Sequence, residues 1–388
     1  MATVYRALTV QLRVQPRKLS VKKDAEWREY RGPMVRKYPR NEWLRNNCVK
    51  NTSLGRKSSV KLLNSVPFNM QGHGIAVGRR TLLEDCYIFI QNLFSFSRPH
   101  TIFGTLISVF SMSLMARSEG RSLALGKSLV LAALCAVAMN VSIVGLNQVY
   151  DKQIDKINKP YLPLASGHFA TDTALTVISA TCSFAFILGV ASSSFHLLFT
   201  LLMSLVLGIV YSSDMKLLRW KRVPILATVC ILSVRAFLVQ WGFFGHFASS
   251  LNGGIYKVTP NSLWFSIVFM GVYSIVISLL KDAPDLVGDL QSGIRTLTVR
   301  LGVAPILNTC MFLLCLDYLA GIYVGLFRSN SHAQVLVLTG GHLLGIVLIF
   351  SKYLRTSVHS SASIFSFYMF VWKMFYMEYL IFPFLNPY

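Results

Sequence analysis

Nine stretches of almost unbroken apolar residues follow one another along the chain, at about 102–116, 128–149, 173–192, 195–212, 223–245, 261–280, 303–327, 333–351 and 363–385. They are too long and too uniformly apolar for strands, which favour short runs or strict alternation. A backbone in lipid must satisfy its own hydrogen bonds, which a helix does within one segment. Several of the stretches reach the roughly 20 residues that a helix needs to cross hydrocarbon. The pattern predicts an all-α membrane protein, a nine-transmembrane-helix bundle built from residues 86–388. Just ahead of it, QNLFSFSRPHT reads as an amphipathic approach to the bilayer.

Composition agrees with that class. The chain is 53% hydrophobic and 14% charged, whereas soluble domains carry about 25% charged residues. The net charge of +22 raises nucleic acid as a partner, but its distribution argues against one: the first 80 residues alone hold 18 Lys and Arg against 4 acids. That segment is basic, acid-poor and without an apolar h-region. Residues 1–85 are therefore expected to be an organelle transit peptide and a disordered tail. Loops after the even-numbered stretches hold 12 basic residues and the opposite loops five. The asymmetry puts the former, with the N-terminal tail, on one side of the membrane. Seven cysteines include no CxxC pair and are expected to be small buried residues.

The acids carry the candidate chemistry. Only 12 lie beyond residue 80, and five of them fall in two short stretches, NQVYDKQID and KDAPDLVGD. Asn147, Asp151 and Asp155 are spaced i, i+4, i+8 and share one helix face. Asp282, Asp285 and Asp289, spaced i, i+3, i+7, would share a face at the end of the sixth stretch if Pro284 and Gly288 leave that helix intact. If the two faces meet, five carboxylates surround a small volume and need neutralising. Hard oxygen ligands in this number suit Mg²⁺, which binds through a few carboxylates plus substrate phosphates. Lys159, Lys281 and the RWKR run at 219–222 can clamp the anion that such a metal implies.

These residues resemble a known family. NQxxDxxxD in the second stretch, with KDxxDxxxD after the sixth, resembles the UbiA superfamily of intramembrane prenyltransferases. FSRPHTIFGT, NKPYLPLASG, YSSDMKLLRWKR, KDAPDLVGD with GIRTLTVRLG, and FVWKMFYMEY are similar to its plant plastid branch. That branch includes homogentisate phytyl- and geranylgeranyltransferases and enzymes that prenylate flavonoids, coumarins and related phenols. The resemblance runs from about Phe96 to the C-terminal end. It implies a bundle with a central cavity, capped by loops on the matrix or stromal side. It also implies Mg²⁺, a prenyl diphosphate donor, a phenolic acceptor and a plastid (chloroplast) membrane ahead of a mitochondrial one. Carried over by residue, Asp151, Asp155, Asp282, Asp285 and Asp289 would hold metal, with Asn147, Asp151 and Asp282 at the catalytic centre. Arg98, Lys159, Tyr211, Arg219 and Lys281 would contact the diphosphate.

Lys152, Gln153, Asp214, Met215, Val287 and Leu290 depart from the residues usual at these motifs. The departures point to a specialised acceptor such as a flavonoid, coumarin or related polyphenol, taking a dimethylallyl or longer group. The alternative is homogentisate with a phytyl or geranylgeranyl donor, as in tocopherol and tocotrienol formation. A rival of another class is a secondary transporter, which the position of the acids at helix ends disfavours, since transporter sites lie near the bilayer midplane. Arg235 in the fifth stretch is costly unless it faces the bundle interior, so it is a candidate cavity residue, as is His168 in the first motif loop. Lys373 and Glu378 in the last stretch are expected to bond neighbouring helices.

Overall fold

The structure is a computed structural model that describes residues 82–116, 122–215, 217–251, 260–291, 293 and 296–385. All of them fall in the compact unit Gly78–Tyr388. The expected transit segment lies outside the described residues except at 82–85, which open the first helix.

That helix, α1 (Leu82–Phe96), is followed by α2 (Pro99–Met115), α3 (Ser122–Asn158) and the single turn α4 (Pro163–Ser166). Next come α5 (Thr171–Ala191), α6 (Phe195–Ser212), a 3₁₀ turn at Trp220–Arg222, and one long helix whose parts are α7 (Pro224–Leu232), a π-helical turn (Ser233–Leu238) and α8 (Val239–Leu251). The rest are α9 (Asn261–Leu280), α10 (Leu286–Gln291), α11 (Leu297–Leu301), α12 (Val303–Phe327), α13 (His332–Leu354) and α14 (Ser361–Ile381). Helices thus occupy all nine predicted intervals. Among the described residues, seven are long and apolar enough to cross a membrane, and α2, at 17 residues, is a shorter apolar helix. No strand occurs among the described residues.

Local chemistry sets the helix starts. Pro99 and Pro224 stand in the first turns of α2 and α7, where a missing N–H costs nothing. Ser194, Ser331 and Ser360 cap α6, α13 and α14 by accepting a backbone N–H three residues on. The helices form a closed ring: α3 packs on α2, α5, α6 and α8; α9 packs on α12; α12 packs on α13; and α14 returns to α2.

Two features of the ring position the site. First, α3 runs for 37 residues, about 55 Å at 1.5 Å per residue, well beyond the ~30 Å of a hydrocarbon core. Its uncharged part is followed, without a break in the helix, by the turns bearing Asp151 and Asp155. Second, α9 ends at Leu280, with Lys281 as its cap. Asp282, Asp285 and Asp289 therefore do not share one continuous helix face as the spacing suggested. Pro284, which has no N–H to donate, sits in a turn over 281–285, and the chain re-enters a helix only at Leu286.

The interior also holds buried polar groups, Glu378 among them. Glu378 is 1% exposed, and its Oε2 lies 3.2 Å from His342 Nε2 on α13. The nearby Tyr318 hydroxyl lies 2.5 Å from that of Tyr273. Glu378 thus meets one neighbouring helix, through His342 on α13, whereas Lys373 is exposed. Glu378→Ala strips a buried polar partner from His342 and should cost about 1–3 kcal/mol. A lowered melting temperature of the detergent-solubilised protein, with Glu378→Gln affected less, is the expected reading.

Candidate active site

The aspartates converge. Asp151 and Asp155 from α3, Asp282 and Asp285 from the turn after α9, and Asp289 from α10 all line one cavity of about 570 Å³. Asn147 and Asn158, one turn before Asp151 and one turn after Asp155, complete the α3 wall. The opposite wall comes from Ser361, Phe365 and Tyr368 at the start of α14.

Every carboxylate in the cavity has a polar neighbour. Asn147 Nδ2 donates to Asp151 Oδ2 at 3.0 Å and to Ser212 Oγ at 3.4 Å. The Lys221 ammonium donates to the other Asp151 oxygen, with Arg219 Nη2 3.8 Å from it. Arg98 Nη2 lies 3.8 Å from Asp155 Oδ2. Lys159 donates to Asp285, which ties the end of the first motif to the second. Lys281 Nζ is 3.2 Å from Asp282 Oδ1 and donates to the Tyr211 hydroxyl at 2.8 Å. Asn158 Nδ2 donates to Asp289 Oδ1 at 3.4 Å.

The local fields follow from this arrangement. Burial, then the charges of Asp282 and Asp285, push the Asp289 carboxyl up to about 7. Burial, followed by Lys281 and two arginines, brings the Lys221 ammonium down to about 7. For Lys159 and Lys281 burial works against the charge, but Asp285 for the first and Asp282 with Tyr211 for the second raise them above the ordinary lysine value. Burial and the neighbouring Arg222 lower Arg219 to about 10.

Most of the expected site residues meet here. Arg98, Lys159, Tyr211 and Lys281 line the cavity with the five aspartates and Asn147. Arg219 does not line it, but reaches Asp151 from behind and also pairs with Asp214. His168 stands outside, exposed on the turn after α4 with Nδ1 2.7 Å from Ser166 Oγ. Arg235 lies on the π-helical turn, with its guanidinium 4.5 Å from the Trp372 ring centre. Sequence reasoning missed Asn158, Thr296 and Tyr368, which also line the cavity. Asn158 carried a signal, being i+11 from Asn147 on the same α3 face; Tyr368 carried none, because α14 reaches the site only through tertiary packing.

The seam between the motifs depends on Gly288. A Cβ there would come within 1.8 Å of Asn158 Oδ1. Gly288→Val must displace Asn158 from Asp289 and lift α10 off α3. An activity loss of about 10- to 100-fold, the usual cost of disturbing groups that orient ligands, is expected in membranes that contain normal amounts of the protein. An unchanged rate would mean that the seam is not required.

The sequence pattern of the UbiA prenyltransferase family matches residues 105–374. The chain belongs to that family. The homogentisate geranylgeranyltransferase of Triticum aestivum is 41% identical over 76% of this chain and 73% of its own length. Homogentisate phytyltransferase 1, chloroplastic, of Arabidopsis thaliana is 39% identical over 76% and 75%. The fold is shared with a solved UbiA homolog from Archaeoglobus fulgidus bound to GPP and Mg²⁺, with a TM-score of 0.53 covering 75% of this chain and 99% of that one, at 16% identity. Membership in a family of transferases removes the transporter alternative.

The relatives also correct the expected acceptor. The naringenin 8-dimethylallyltransferase 2 of Sophora flavescens is 32% identical over 76% of this chain and 72% of its own length, below both homogentisate enzymes. The departures that suggested a flavonoid or coumarin acceptor have a plain physical reading. Gln153, Met215, Val287 and Leu290 are exposed, Lys152 donates to Thr171 and Asp214 pairs with Arg219. None of the six lines the cavity, so they carry no information about what binds there.

Proposed function

We propose that this protein is a plastid-membrane prenyltransferase that moves a geranylgeranyl or phytyl group from its diphosphate to the ring of homogentisate. The observation that carries the reading is the facing of two aspartate motifs across one cavity at the end of an apolar bundle. The identity to homogentisate enzymes supports the acceptor, and the chloroplastic relative supports the compartment.

The donor set fits a divalent metal. All of its candidate ligands are hard oxygens, although among the described residues no three acids, histidines or cysteines stand at metal-binding distances. The cavity is lined by five acids and by Arg98, Lys159, Lys221, Arg222 and Lys281. A lining so balanced does not favour a multiply charged diphosphate by itself, so the anion needs to bring cations with it. Magnesium, held by Asp151 and Asp155 on one side and Asp282, Asp285 and Asp289 on the other, would supply charge to the departing diphosphate.

The side chains then divide the work. Arg98, Lys159, Lys221 and Lys281 grip the diphosphate oxygens. Asn147 fixes the rotamer of Asp151, and Tyr211 fixes that of Lys281. The allylic C–O bond breaks with its electron pair on the diphosphate, the ring carbon of the phenol bonds to the allylic carbon, and a ring proton leaves. Phe365 and Tyr368 offer aromatic faces to the intermediate cation, and the apolar bundle keeps water from it.

The test is an assay of membranes from a host that lacks such an enzyme, with homogentisate against geranylgeranyl and phytyl diphosphates and naringenin as the comparison acceptor. Prenylated homogentisate with at least one donor is expected. Product from naringenin alone would overturn the acceptor assignment.

A further inference from the structure

Lys127, Val130, Leu131 and Leu134 fall at i, i+3, i+4 and i+7 on α3 and so share one helix face. With Gly126 and with Leu188 of α5 they line a cavity of about 540 Å³. Leu131 and Leu188 form its floor, half-buried against the core of the bundle. Gly126, Lys127, Val130 and Leu134 are exposed at its rim.

The place of this cavity follows from the length of α3. Along that unbroken helix Lys127 stands about 36 Å from Asp151, at 1.5 Å per residue. A hydrocarbon core is ~30 Å thick, so Lys127 marks the headgroup level of the membrane face remote from the aspartates. Leu134 lies about 10 Å deeper along the same helix. The cavity thus runs from the headgroups into the hydrocarbon, on a surface that lipid covers.

One missing side chain and one charge shape it. A Cβ on Gly126 would meet nothing within 4 Å, so the glycine leaves the space open. Deeper in the membrane the two helices close up: the Cys135 thiol donates to the Ala185 carbonyl at 3.6 Å, and Ser142 Oγ lies 2.7 Å from Thr181 Oγ1. Lys127 is the one charged residue in the lining, and among the described residues no acid pairs with it. It is also one of five basic residues in the loops and helix ends of that face, against 12 on the other, so it is not part of a generally basic surface.

Apolar walls gain dispersion energy only from atoms that reach them, and on this face the atoms available are acyl chains. A lysine lays its stem along apolar surface and holds its ammonium among the headgroups, where it attracts an anion. Two copies of the chain meeting here about a two-fold axis would bring like charges together, because such an interface pairs each patch with itself. We propose that the cavity binds one membrane glycerolipid with an anionic headgroup, its acyl chain against Val130, Leu131, Leu134 and Leu188 and its headgroup anion on Lys127. The site lies at the far membrane face from the aspartate cavity and is independent of the reaction.

The experiment measures lipid retention by native mass spectrometry on the detergent-solubilised full chain, supplied with phosphatidylglycerol or phosphatidylcholine of the same acyl chains. Wild type should hold one phosphatidylglycerol about 5- to 10-fold more tightly than phosphatidylcholine, the scale of one lysine at an anionic headgroup. Lys127→Gln should erase that preference and leave phosphatidylcholine retention unchanged. Gly126→Leu puts a side chain into open space and should weaken both lipids. Melting temperatures in lipid-free detergent that match wild type show that the variants fold. Equal retention of the two lipids by wild type, or a preference that survives Lys127→Gln, would overturn the proposal. Displacement of phosphatidylglycerol by inorganic phosphate would reduce the site to a bare anion contact, and a wild-type dimer that Gly126→Leu splits would give the groove to a second copy; either result also overturns it.

Discussion

Asp151→Ala and Asp285→Ala should each lower turnover by at least about 100- to 1000-fold, the scale reached when one charge-stabilising group is removed from an active site. Each carboxylate does two things at once. Asp151 accepts from Asn147 and Lys221, and Asp285 accepts from Lys159. Removing either frees a cation and, under the proposed function, deletes a metal ligand. The freed lysine can still hold a diphosphate oxygen, so the donor KM should rise less than kcat falls. The variants should accumulate in membranes like wild type, because the core of the bundle does not include these residues. Asn replacements keep the shape and one oxygen but lose the charge, and should recover little activity. A variant with more than a tenth of wild-type turnover would take that carboxylate out of the metal site.

Removal of divalent ions should reduce activity to background. EDTA-treated membranes should regain it on addition of Mg²⁺, with a midpoint that shifts upward in Asp289→Asn, whose carboxyl is the one held by an amide and not directly by a cation. The cavity lining is balanced in charge, so the donor should bind weakly when stripped of metal. A pull-down of radiolabelled geranylgeranyl diphosphate, with and without Mg²⁺, reads this without any turnover. Metal-independent binding together with metal-independent transfer would dismiss the ion altogether.

Much of the site was legible in the sequence because its first half is one helix. The i, i+4, i+8 spacing of Asn147, Asp151 and Asp155 needs no tertiary information, and α3 puts all three on one wall. The second half was less legible. Pro284 turns KDAPDLVGD into a bend and a short helix, so the regular spacing gave the wrong local shape but the right destination. The rim departures differ for a related reason: closeness in sequence to a motif is not closeness to the cavity, and Val287 and Leu290 on α10 are exposed and do not line it. Tyr368 and Trp372 were invisible, because only tertiary packing, of α14 on α2 and α9, brings them to residues far earlier in the chain.

That ring closure bears on how the protein is made. The cavity draws on Arg98 at the head of α2 and on Ser361, Phe365 and Tyr368 of the last helix, so nearly the whole chain must leave the ribosome before the wall is whole. A nascent or prematurely terminated product ending before α14 lacks one side of this cavity. Under the proposed function, chemistry in the cavity therefore has to wait for the last helix.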